Sequence, residues 1–207
     1  MRKVFFLCGA FSLLLAWASP FPFISRQTFS GHMIMHMLVV AVAAPFLALG
    51  VSGSKFDPTT AHPLLFAPIP ASIGELIIVW GWHVPSLHLF ARHSESGIFL
   101  EQLSFIIAST WVWVACFGGK YSSVRGAGII GLLLTSMHMT FLGALLSLAT
   151  RPLYGHHPSY GNLSVMVDQQ LGGTIMLVVG GVSYLSGGLW LTFKLLREKG
   201  RINEKLA

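Results

Sequence analysis

Gly31-His32-Met33-Ile34-Met35-His36-Met37 opens one apolar segment of this 207-residue chain, and Met137-His138-Met139 sits in the middle of another. Thioether sulfurs and imidazole nitrogens are uncommon in hydrocarbon, and together they form a ligand set that favours Cu(I) over harder ions. Five of the seven methionines after Met1 fall in these two clusters. Helical geometry tests whether the first cluster can close on one ion. At about 100° per residue His32 and His36 share a face, with Met35 about 60° to one side and Met33 about 60° beyond His36 on the other. Met37 turns farther away, and Met137 and Met139 each sit about 100° from His138, so only some of the methionines can be ligands. The competing reading is that each Met fills an irregular gap between helices.

Other groups carry weaker signals. Glu75, alone in apolar surroundings, reads equally as a proton-relay or ligand carboxylate and as a hydrogen-bond partner inside a helix bundle. His88, His93, His156 and His157 fall between apolar segments and are expected to be solvated, and His62 looks unrelated. Cys8 and Cys116 lack paired metal-ligand spacing, so both are expected to be reduced and buried. The pairs Gly172-Gly173, Gly180-Gly181 and Gly187-Gly188 lie within an apolar helix, where small residues allow close packing instead of cradling phosphate. No local signature marks a nucleophile, so an enzyme is not expected.

The elements that must position these groups follow from composition. With 54% hydrophobic and 10% charged residues, the chain has too few charges to cover a soluble globule. The net charge of +6 is dispersed at segment ends, not gathered in a stripe with exposed aromatics, so nucleic acid is not an expected partner. The partner implied is the lipid bilayer.

Six segments approach the roughly 20 apolar residues needed to cross hydrocarbon. They run over approximately 4–18, 29–50, 64–82, 97–118, 126–149 and 170–193. The first also fits a cleavable signal peptide, since Arg2-Lys3 precedes an apolar run that ends in Ala16-Trp17-Ala18; Pro20 and Pro22 follow at once. With the N-terminus inside, only Arg26, Arg92 and Arg151 fall outside among all Lys and Arg residues. The positive-inside rule therefore predicts both termini in the cytoplasm. The fold predicted is an all-α, polytopic membrane helix bundle of about six transmembrane helices, a single domain over residues 1–207. In that orientation His32, His36, Glu75, His83, Glu101, His138 and Asp168 gather toward the outer side, and intramembrane polar groups clustered at one depth mark a functional site.

Several phrases in order carry a resemblance. Phe29-Ser30-Gly31-His32-Met33 with His36, Ala44-Pro45-Phe46-Leu47-Ala48-Leu49-Gly50, Trp82-His83-Val84-Pro85, Met137-His138-Met139-Thr140, Arg151-Pro152-Leu153-Tyr154 and Asp168-Gln169-Gln170-Leu171-Gly172-Gly173 together resemble the CtaG family of cytochrome c oxidase assembly factors. The resemblance runs from about Phe29 to Trp190. It implies a bacterial inner-membrane protein that helps to build a haem-copper oxidase by supplying copper, with His32, His36, His83, His138 and Asp168 as the polar site. It also implies histidines around a Glu-His pair in the fourth helix, where this chain reads Phe99-Leu100-Glu101-Gln102.

The expectation is therefore a copper-binding assembly factor that holds Cu(I) through His32, His36 and one or more of Met33, Met35, His138 and Met139. It would release the ion by ligand exchange to an oxidase subunit or an outer-side copper chaperone. Three rivals remain: a haem protein with its iron between His36 and His138, a copper transporter, and a packing subunit without metal.

Overall fold

The computed structural model describes residues 1–118, 122–154 and 163–206. Among these residues every regular element is helical. Helix α1 (Arg2–Ala18) meets α2 (Phe21–Gln27) at a 51° bend. The bend falls at Ser19-Pro20, where proline disfavours a helical residue before it. Thr28 then starts α3 (Phe29–Met37), its hydroxyl accepting from the Gly31 N–H at 3.0 Å.

A π-helical stretch, Leu38–Ala43, joins α3 to α4 (Ala44–Val51) without a break. Pro45 explains the widening. It has no N–H to return to the Ala41 carbonyl, so the turn before it loosens. Three donors from elsewhere meet the carbonyls exposed there. Trp113 Nε1 donates to Val40 O at 3.2 Å, Ser183 Oγ to Ala41 O at 2.7 Å, and the Tyr184 hydroxyl lies 3.5 Å from Val40 O.

The chain continues through α5 (Pro68–Trp82), α6 (Pro85–His93), α7 (Glu95–Phe117) and α8 (Ser122–Ser147). After a connection come α9 (Val165–Ile175), a second π-helical stretch (Met176–Gly180) and α10 (Gly181–Leu206). Helix α8 packs against α5, α7, α9 and α10. Its approach to α9 requires glycine: a Cβ on Gly143 would lie 2.7 Å from Leu177 N, and one on Gly173 would lie 2.6 Å from Ser147 N. Leu7, Phe11, Ile77, Ile107, Phe141 and Leu189 face outward from five helices. An apolar exterior around a core that contains polar groups is the arrangement expected in lipid.

Four helical stretches are long and apolar enough to span a membrane, 29–51, 95–117, 125–147 and 165–201, and the bent α1–α2 pair would make five. The third expected segment begins later than the hydropathy pattern suggested. Pro68 sits at the first helical position, where its missing N–H costs nothing, and α5 is left with 15 residues. Two short helices, α2 and α6, occupy stretches between the expected apolar segments. Both lie at the end of the bundle where α3, α7 and α9 begin and α5 ends.

Candidate metal centre

Four histidines from three helical elements meet at that end. His32 and His36 lie one turn apart on α3 with rings nearly parallel, their centroids 6.0 Å apart. His83, at the C-terminal end of α5, places its ring 5.7 Å from His32 and 5.5 Å from His36. His88 on α6 approaches His32 edge-on at 5.0 Å. All four side chains are buried. Phe105 walls the cluster on the α7 side, 4.1 Å from the His36 ring. Phe29 and Tyr154 stack at 4.5 Å next to His88.

Glu101, fully buried one turn and a half into α7, adds a carboxylate. Its Oε2 lies 3.8 Å from His32 Nδ1. One ligand atom each from His32, His88 and Glu101 all fall within 4.8 Å of one another. Three donors around an ion with bonds of about 2 Å lie ~3.3–3.5 Å apart, so these three need draw in by at most ~1.5 Å to share one ion. Neither ring nitrogen of His32 or of His36 has a hydrogen-bond partner among the described residues. Buried polar atoms are rarely left so. His83 differs: its Nδ1 must donate to the Val79 carbonyl at 2.6 Å, which leaves Nε2 as the nitrogen with a lone pair. A backbone acceptor on the far nitrogen is the usual way to orient a metal-binding imidazole.

Surrounding residues fix this geometry. Both carboxylate oxygens of Asp168 are spent at the start of α3: Oδ2 accepts from Phe29 N at 2.6 Å, and Oδ1 accepts from Ser30 N at 3.1 Å and from the Ser30 hydroxyl. An anion at a helix N-terminus also complements the helix dipole. The Tyr154 hydroxyl donates to His83 O at 2.7 Å, and burial pushes its pKa up, so it remains a donor. Arg92 on α6 donates to Glu101 and, at 3.1 Å, to the Ser25 carbonyl of α2. Gln102 donates to Glu101 at 3.3 Å and accepts from the Trp17 indole of α1 at 3.2 Å.

The other residues singled out from the sequence lie elsewhere. Met33 packs toward Gly172 of α9, and Met35 lines a groove of about 440 Å³ between α1, α2 and α7 with Trp17, Ile98 and Gln102. Met139 and Met37 meet beside Gly180. His138 is buried on α8, with neither ring nitrogen partnered and, among the described residues, no ring contact to the other histidines. Glu75 accepts from the Tyr184 hydroxyl at 2.6 Å, deeper in the bundle. Cys116 is buried as expected, but Cys8 is exposed on α1. His62 and His93 are exposed, whereas His156 and His157 lie outside the described residues.

Sequence reading missed His88 and Arg92. The signal was present. Val84-Pro85 starts a helix, and His88, Ala91 and Arg92 then recur at the three- and four-residue spacing of one helical face, the face α6 buries.

The family model described as cytochrome c oxidase caa3 assembly factor (Caa3_CtaG) matches residues 1–198. No curated protein and no solved structure matches the chain.

Proposed function

Because the chain belongs to the Caa3_CtaG family of cytochrome c oxidase caa3 assembly factors, we propose that it binds copper in the buried histidine cluster and hands it to a haem-copper oxidase during assembly. The observation that carries this reading is the pair of α3 histidines with all four ring nitrogens unpartnered, in contact with His83, His88 and Glu101. Buried imidazoles without a hydrogen-bond partner cost stability, and an ion would repay that cost. Imidazole suits copper among the transition metals.

His32, with His88 and Glu101, forms the centre of the site, and His36 and His83 extend the set of neutral nitrogens over which an ion can move. Asp168 acts by positioning α3. Met33, Met35, His138 and Met139 sit beyond this centre and serve an ion only in transit. The cargo is Cu(I), accepted and released by ligand exchange. No substrate bond breaks, and the role is that of a metallochaperone, not an enzyme.

The protein lies in the bacterial inner membrane with both termini cytoplasmic. The bent α1–α2 pair and the short α5 complete six crossings, and the histidine end faces outward, toward an oxidase subunit or an outer-side copper chaperone. The asymmetry of Lys and Arg supports this orientation. At the opposite end, Arg125 pairs with Glu198.

Metal analysis and an absorption spectrum of the purified protein under reducing conditions test the proposal. One Cu(I) per chain, lost in His32→Ala, is expected. A Soret band without copper would favour haem held by the same histidines.

A further inference from the structure

Glu101 is the one anionic group among the described residues of the cluster, and it is already paired. Arg92 reaches it from α6 with both side chains buried. The same guanidinium donates to Ser25 O at 3.1 Å, while its Nε has no partner among the described residues. Its positive charge thus sits beside a carboxylate whose oxygen lies 3.8 Å from a candidate ligand nitrogen. The arrangement has a direct electrostatic consequence. The ion pair is close to neutral overall: Arg92 and Gln102 hold Glu101 Oε2 while Oε1 has no partner among the described residues, so an incoming ion meets imidazoles and a carboxylate whose charge the guanidinium cancels.

The guanidinium offsets the attraction of the carboxylate for the ion, and the attraction lost in this way grows in proportion to the charge of the ion and is largest where water is absent. A divalent ion loses twice as much of that attraction as a monovalent one, and hard and borderline ions are the ones that favour an anionic oxygen ligand. A monovalent soft ion loses half as much and is served by neutral ligands. Resting on the copper-site reading above, we propose that Arg92 is the selectivity residue of the centre: by holding Glu101 in an internal ion pair it admits Cu(I) and rejects divalent ions such as Zn(II). The same cancellation of charge keeps the bound Cu(I) easy to release.

The test compares Cu(I) and Zn(II) affinities of the purified full-length protein, by competition against chromophoric chelators under reducing conditions. Wild type should prefer Cu(I). Arg92→Gln restores the full negative charge of Glu101 to the site, so the ratio of Zn(II) to Cu(I) affinity should rise by about tenfold or more, and Arg92→Lys should stay near wild type. Because Arg92→Gln leaves a buried carboxylate unpaired and can fail to fold, the double variant Arg92→Gln/Glu101→Gln is measured beside it. With both charges gone its ratio should fall within about threefold of wild type. A ratio unmoved in Arg92→Gln, a wild type that prefers Zn(II), or a double variant that loses Zn(II) binding selectively by about tenfold would overturn the proposal. Failure of every protein to hold either ion would instead remove the metal centre itself, and this inference with it.

Discussion

Replacing Asp168 separates a residue that holds the site from one that holds the ion. Its carboxylate accepts two backbone N–H groups and one hydroxyl at the first turn of α3, at 2.6 Å and 3.1 Å for the two backbone donors. Asp168→Ala would leave both N–H groups buried without a partner. A hydrogen bond to a charged group contributes about 1.5–3 kcal/mol, and orphaning buried donors forfeits most of it. Water reaching the helix start offsets part of the loss, so a net cost of about 3 kcal/mol is expected. Asp168→Asn keeps one acceptor but turns an amide N–H₂ toward a backbone donor, and should cost about half as much. Unfolding in detergent micelles by denaturant titration gives the free energies, and copper content is measured on the fraction that stays folded. Both variants should be less stable in that order, and folded Asp168→Asn should retain at least half of the wild-type copper. Loss of copper with no loss of stability in Asp168→Asn would show that the carboxylate binds the ion, and would refute the positioning argument.

Two further outcomes follow from where the histidines lie. His88→Ala should lower Cu(I) occupancy to a small fraction of wild type in the purified protein, whereas His138→Ala, outside the cluster, should leave it within about twofold; equal losses would spread the site across both clusters. For orientation, in a Cys8→Ser background, a cysteine replacing Ser96 should react with a membrane-impermeant thiol reagent while the inner membrane is intact. One replacing Thr60 should react only after lysis, and the reverse pattern would turn the histidine end toward the cytoplasm.

Much of the architecture was legible in the chain because lipid imposes a simple rule: long apolar runs must be helices that satisfy their own backbones. The runs at 29–51, 95–117 and 125–147 are recovered within a few residues of their hydropathy limits. The first and third were harder for physical reasons. Pro20 and Pro68 redistribute backbone donors at helix boundaries, and hydropathy does not register that. Within the site, His32 and His36 were legible because one helix places them together. His88 was not, since a short amphipathic helix lying across the end of a bundle looks like a polar loop until its helical periodicity is followed. The meeting of His32 with Glu101 and Arg92 was beyond sequence pattern altogether. It depends on how α3, α6 and α7 pack, and spacing along one strand of sequence carries no information about that. The methionines carry two readings at once. Their abundance marks adaptable packing at Gly172, at Gly180 and along the α1–α7 groove as much as soft-metal chemistry.

The most direct test of the central claim is the metal content of the client. The haem-copper oxidase should be purified from cells lacking this protein and from cells carrying only the His32→Ala variant, and its haem and copper measured against wild type. Oxidase polypeptides with normal haem, markedly reduced copper and reduced turnover are expected in both, with partial recovery when external copper is raised, because mass action can substitute for a carrier. An oxidase with full copper and normal turnover in the deletion strain would contradict the account.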